Sequence, residues 1–370
     1  MQKEYGSFDA YCWQFVDGRP RQNRWNSPRQ IPATTAESDA FSRDLKHRGF
    51  SFLGSTVIYA HMQAVGMVND HVVDCYRLLR RPPAPDAIDR STVSKDIVQE
   101  RQPFDVAWRT VDGLKIRFAT DGRSDAKLVL LSPWPESIFA FAPVWSGLTK
   151  QFEVFAFDLP GFRQSEARDD LFAPQTMGEF VTKALDAFGL TSVHAVGLDI
   201  GSPSVLFAAL ARPELFRSLI VGAGASTYPL VAEGALKSMI EAEALPQLNA
   251  VDVVGGFLGS IRGYSVPRFV RDDYLASYEG DRLTRSAALV RAYPKDLAVL
   301  APHLASIKVP VAIVVGRNDP YSLARDAALL RERLPHARLD VLEAGHCVWE
   351  ERAPEFESIV TQWVSGGFRR

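Results

Sequence analysis

Ala195-Val196-Gly197-Leu198-Asp199-Ile200-Gly201-Ser202 organises this chain of 370 residues. An apolar run leads into an acidic residue flanked two places on either side by glycine, and Ser204 to Leu210 read on as a helix. This is the pattern of a nucleophile elbow, where a strand turns sharply into a helix and holds its central residue, strained, above the sheet edge. Gly197 and Gly201 suit the turn because a Cβ there would collide with it. The central residue is a carboxylate, Asp199, and not a hydroxyl, which changes the chemistry available.

Around the elbow, apolar and β-branched runs mark core strands at 127–131, 154–157, 193–196, 218–221, 311–315 and 339–342. Helical spacing recurs between them, as at 180–188 and 324–334. Alternating strands and helices predict a doubly wound, mostly parallel sheet whose ligands sit at the carboxyl ends of the strands. About eighty residues, 227–307, separate the fourth and fifth strands and are helical in pattern. That is too long for a loop and predicts a helical lid over the strand ends.

The first 80 residues differ in character. Tyr11-Cys12-Trp13-Gln14-Phe15-Val16, Ile31-Pro32-Ala33-Thr34-Thr35, Leu45-Lys46-His47-Arg48-Gly49-Phe50 and Val68-Asn69-Asp70-His71-Val72-Val73-Asp74-Cys75 follow one another. In order and spacing they resemble the C-terminal third of the DNA-3-methyladenine glycosylase I family. The resemblance implies that His71 and Cys75, four apart on one helix face, are two of four zinc ligands. The other two, and the half bearing the catalytic acid and base pocket, have no counterpart here, so the zinc site would be incomplete and no flipped base could be read. Eighty residues are also few for an independent core. Residues 81–104, beginning Arg81-Pro82-Pro83-Ala84-Pro85, read as a Pro-rich, charged linker.

From about residue 105 to 370 the order of elements, with the elbow, resembles the α/β-hydrolase family and its Asp-nucleophile branch. That branch usually carries His-Gly-x-Pro after its third strand; here Ser132-Pro133-Trp134-Pro135 departs at the first two positions. The resemblance implies oxyanion-hole amides at Trp134 and Ile200. Asp158-Leu159-Pro160-Gly161-Phe162-Arg163-Gln164-Ser165 is a further fold marker.

Ala344-Gly345-His346 follows the last strand, where the family places its base. The carboxylate that fixes such a histidine's tautomer is absent from Gly222-Ala223-Gly224-Ala225-Ser226 but present in Gly316-Arg317-Asn318-Asp319-Pro320. The order Asp199, Asp319, His346 is nucleophile, acid, base. Carboxylate attack on an acyl carbon would give an anhydride, whereas attack on an sp3 carbon gives an alkyl-enzyme ester that His346-activated water can hydrolyse. Epoxides and carbon–halogen bonds are such substrates.

Epoxide opening needs an acid, and the lid supplies five tyrosines, of which Tyr264 and Tyr293 lie beside helix-breaking Gly or Pro. Halide binding needs N–H donors, yet the lid has no Trp and Ile200 follows the nucleophile. Epoxide hydrolase is the leading reading and a haloalkane or haloacid dehalogenase the alternative. A silent binding pocket and a DNA-repair-linked fusion are readings of other classes. No cofactor is expected for the hydrolase, and its partners are a small apolar electrophile and water.

Composition is that of a soluble protein, 46% apolar and 23% charged, with net charge -2. Residues 1–100 balance thirteen Lys and Arg against twelve Asp and Glu, without the basic footprint of a DNA binder. No apolar run is long enough to span a membrane. Three well-separated cysteines argue against a disulfide framework, making the cytoplasm the simplest compartment and leaving oligomeric state open.

Overall fold

The computed structural model describes residues 2–51, 53–73, 102–162, 164–230, 232–243, 247–321 and 323–366. Cys75 and most of the expected linker lie outside them. The chain divides into two compact units, Met1–Gln99 and Glu100–Arg370.

In the first unit, β1 (Arg21–Gln22) pairs in parallel with β2 (Val68–Asn69), beside the helices Ala36–His47 and Ser55–Ala64. Thr35 opens the longer helix with a capping box, its hydroxyl accepting from Ser38 N–H while Ser38 Oγ accepts from Thr35 N–H. Contrary to the expectation of too few residues, this unit has a core of its own, with Tyr11, Phe41, Met62 and Met67 fully buried. Asp70 anchors it. One carboxylate oxygen accepts from Asn23 Nδ2 and Trp25 Nε1, both at 2.7 Å, and the other from Tyr59 hydroxyl at 2.6 Å and Gln63 Nε2 at 2.8 Å. All four donors favour the charged form and hold its pKa low against burial.

The second unit is built on an eight-stranded sheet in the order β10-β9-β8-β7-β5-β6-β4-β3. Its strands are β3 (Ala107–Val111), β4 (Leu114–Asp121), β5 (Lys127–Leu131), β6 (Glu153–Phe157), β7 (Val193–Leu198), β8 (Phe216–Gly222), β9 (Val311–Gly316) and β10 (Ala337–Leu342). From β10 to β6 every pairing is parallel, and β4 and β3 are antiparallel. The six expected strands are present.

Helices cover both faces, so the central strands are mostly apolar, and the buried His194 of β7 and Ser218 of β8 hydrogen-bond each other at 2.7 Å. Along β5, Leu128 and Leu130 enter one core while Val129 and Leu131 enter the other. The chain runs outward from β5 to β6, then crosses back to β7 on the other side of β5. The β5/β7 border is therefore the switch point at which strand-end loops diverge and a ligand cleft opens.

Between β8 and β9 the chain forms the helices Gly234–Glu241, Ala250–Ser260, Arg268–Ala276, Arg282–Ser286, Ala288–Arg291 and Tyr293–Leu300. Arg117, fully buried on β4, holds this insertion to the sheet. Its Nε donates to Asp158 at the end of β6 at 2.5 Å, and its outer nitrogens to both Asp273 oxygens at 2.6 and 3.0 Å. Asp158 also accepts from Ile138 N–H at 2.9 Å. Such a triad stands only while complete, because removing one member strands a buried charge. No helix among the described residues is long and apolar enough to cross a membrane.

Candidate active site

β7 ends at Leu198 and the next helix begins at Gly201, leaving Asp199 at φ 51° between them. Asp tolerates this left-handed conformation better than most residues, though still at about 1–3 kcal/mol. The fold holds it there: Asp199 N–H donates to Gly222 O at 2.9 Å and Ser202 N–H to Asp199 O at 3.0 Å. Glycine makes room on both sides. A Cβ on Gly197 would lie 2.5 Å from Gly201 O, and one on Gly224 would lie 2.0 Å from Asp199 O. Gly224→Ala is thus expected to displace the elbow and cost about 1–3 kcal/mol, seen as a lowered melting temperature with loss of whatever activity the wild type shows.

One Asp199 oxygen accepts the Trp134 backbone N–H at 2.6 Å, and the other lies 3.8 Å from His346 Nε2. On its far side His346 Nδ1 is 2.8 Å from Asp319 Oδ2. Asp319 Oδ1 accepts Tyr321 N–H at 2.8 Å, so the fully buried carboxylate both caps its own loop and orients the imidazole. That pairing needs the β9 and β10 loops to touch. A Cβ on Gly316 would lie 1.8 Å from Gly345 O, and Asn318 N–H donates to Ala344 O at 2.9 Å.

Burial raises the Asp199 carboxyl from its usual 3.8 to about 6; the His346 charge and the N–H groups of Trp134 and Ile200 restrain the rise, while Asp319 adds to it. Burial opposes charge on His346, but Asp319, then Asp199 and Glu136, outweigh it and lift the imidazole to about 9. Between those values the pair rests as carboxylate and imidazolium.

Asp199 and His346 line a cavity of about 590 Å³ together with Trp134, Tyr293 and Tyr321. Its far wall comes from the helices Gly234–Glu241 and Ala250–Ser260, including Leu236, Met239, Val253 and Phe257. Among the described residues Asp199 and Asp252 are its only carboxylates, and no Lys or Arg lines it. Of the two lid tyrosines expected to face substrate, Tyr293 does. Tyr264 does not: it is absent from the lining and packs partly buried against the cluster that contains Phe139, Trp145 and Val270.

Tyr321 was missed, being outside the lid. Its ring stands edge-on to His346 at 5.0 Å and 90°, and its place two residues after Asp319 was the available signal. The Tyr293 and Tyr321 hydroxyls have no hydrogen-bond partner among the described residues. The Trp134 indole, the one well-placed donor for a halide by sequence, gives its N–H to Ser286 Oγ at 2.9 Å.

His71 is exposed, with its backbone N–H on Asn69 Oδ1 at 3.2 Å. No group of three or more His, Cys, Asp or Glu ligand atoms that includes it occurs among the described residues, and Cys75, the other ligand the resemblance implied, lies outside them.

Sheet order, elbow and strand-end carboxylates define an α/β hydrolase. The α/β-hydrolase-fold profile matches residues 128–353, and the chain belongs to that family. Over 228 residues it is 25% identical to 3-oxoadipate enol-lactonase 1 of Acinetobacter baylyi, covering 60% of this chain and 82% of that protein. The haloalkane dehalogenase DbeA of Bradyrhizobium elkanii superposes with a TM-score of 0.60 at 19% identity, covering 71% of this chain and 98% of the other, a likeness of fold. Residues 1–78 match the methyladenine glycosylase profile. This segment is 44% identical over 75 residues to DNA-3-methyladenine glycosylase 1 of Escherichia coli, and spans 40% of that enzyme's length.

Proposed function

We propose that the second unit is an Asp-nucleophile hydrolase that opens small, neutral, apolar epoxides to diols. The observation that carries this reading is the Asp199 carboxylate itself, with one oxygen on the Trp134 amide and the other turned to His346. The free oxygen attacks an epoxide carbon, the carbon–oxygen bond breaks, and the leaving oxygen takes a proton from Tyr293 or Tyr321. The His346 imidazolium returns a proton to that tyrosinate through solvent and, now neutral, removes a proton from water. The hydroxide adds to the Asp199 carboxyl carbon, the oxyanion rests on the Trp134 and Ile200 amides, and the tetrahedral centre expels the diol oxygen, which is reprotonated by His346; the proton left on the Asp199 carboxyl then passes to the imidazole and restores the starting pair.

The charges suit this sequence. Asp199 loses its negative charge on forming the ester, which removes one of the groups that hold the proton on His346. The nucleophile step needs carboxylate and the water step needs neutral imidazole, and the first promotes the second.

Two partner-free hydroxyls in the cavity favour epoxides over halides, because the Trp134 indole is already engaged by Ser286. Tyr293→Phe and Tyr321→Phe together are expected to slow ester formation from a neutral aryl epoxide by about 10²–10⁴-fold. Stopped-flow measurement with an epoxide and a haloalkane separates the readings: equal loss on both substrates, or none on either, would remove the acid role. The dehalogenase reading keeps the same nucleophile. No glycosylase activity is proposed for residues 1–78.

A further inference from the structure

Behind the catalytic histidine lies a second group of acids. Glu136 follows β5, Glu350 lies in the short helix Val348–Glu351, and Cys347 directly follows His346. All three are buried, at 0%, 3% and 1% exposure, and their oxygen and sulfur atoms lie within 4.8 Å of one another. Trp349 Nε1 donates to Glu136 Oε1 at 3.2 Å, while Glu350 makes no ion pair among the described residues. Two carboxylates so close and so dry cannot both be charged; with one proton between them they hydrogen-bond and retain a single charge. Burial, then the Glu136 charge and hydrogen bond, accordingly raise the Glu350 carboxyl far above its usual range.

We propose that Glu136 and Glu350 share one proton, and that the single negative charge they keep is a fixed electrostatic support for the imidazolium form of His346. They are positioning residues, acting through His346 without touching substrate. The groups facing that imidazole are Asp319 from the β9 loop, Asp199 from the elbow, Tyr321 and Trp349 by their rings, Cys347 beside it, and Glu136 behind. Glu351 is otherwise engaged, accepting Gly345 N–H at 2.9 Å. Asp199 is the one member of this set whose charge vanishes on ester formation, so the carboxyl pair matters most in the hydrolytic step. That last point rests on the proposed function; the effect on His346 does not.

The test is the titration of His346 in the substrate-free protein, followed by NMR of labelled imidazole and assigned by loss of its signal in His346→Gln. Glu350→Gln leaves Glu136 ionised and supplied with an N–H donor, so the midpoint is expected to stay. Glu136→Gln with Glu350→Gln removes the charge, and the midpoint is expected to fall by about one pH unit. An unchanged midpoint in the double variant, or an equal fall in Glu350→Gln alone, would overturn the proposal. So would a stoichiometric metal ion in the purified wild type, since Glu136, Cys347 and Glu350 would then be its ligands. If the double Gln variant does not fold, Glu136→Leu with Glu350→Leu removes the same charge without leaving amides unpaired in the dry site, and the same fall is expected of it. Should the nucleophile reading fail, these titrations read the pair all the same.

Discussion

Replacing His346 by Gln is expected to leave the protein alkylated on Asp199. The nucleophile, its amide partner and the cavity are untouched, so one equivalent of a small aryl epoxide reacts and the ester then waits for a base that is absent. Steady-state turnover should fall by about 10³-fold or more, while intact mass rises by one epoxide per chain and peptide mapping places it on Asp199. In the wild-type protein ester formation should also slow as pH drops below about 6, because the raised carboxyl takes up its proton there. A well-folded variant that gains no mass from epoxides or haloalkanes would move the second unit to the binding-pocket reading, and the altered Ser132-Pro133 turn would be the place to look.

What made this site readable beforehand was local. Gly197 announces the elbow because the approach of Gly201 O behind it admits no Cβ, while one on Gly201 would only press on Leu131 at 3.3 Å. Asp319 and His346 follow directly from the ends of β9 and β10, where topology alone collects side chains. The sheet was readable for a similar reason, since strands buried on both faces are predominantly apolar.

Features that depend on distant chain meeting were not legible. Gly224 serves Asp199 and Gly316 serves Gly345 across strand boundaries, and nothing beside them in sequence says so. The Glu136–Glu350 approach joins residues more than two hundred apart. Tyr264 and Tyr293 both lie beside helix breakers, yet only the three-dimensional course of the lid separates a cavity wall from a core contact. The β3–β4 hairpin was legible and missed. Asp112-Gly113 is a turn signal, and both residues take positive φ, 48° and 80°.

Asp199→Asn is expected to abolish turnover and to stabilise the fold. Without a carboxylate no ester forms, and activity should fall to background, at least about 10³-fold. The stability sign follows from the raised pKa. The folded state binds this proton more tightly than the unfolded chain, so stability is lost as pH rises from 3.8 through about 6, by roughly 3 kcal/mol in full for a carboxyl raised from 3.8 to about 6. Near pH 5 the unfolded carboxyl is already ionised while the folded one is still largely protonated, so about half of that cost is present and the variant gains roughly half of the full amount. Around pH 7 that cost is complete, the value of about 6 already including the restraint from the His346 imidazolium. As pH rises through about 9 that imidazolium loses its proton, Asp199 is left charged beside a neutral ring, and the advantage of Asn is largest. Melting temperatures of the two proteins from pH 5 to 10 should therefore diverge upward, by several degrees at the alkaline end. An Asn variant that melts lower at every pH would mean the Asp199 charge is stabilised by its surroundings, contradicting the poise the nucleophile needs. Stability yielded at the elbow in exchange for a reactive carboxylate is the pattern of a site kept for chemistry.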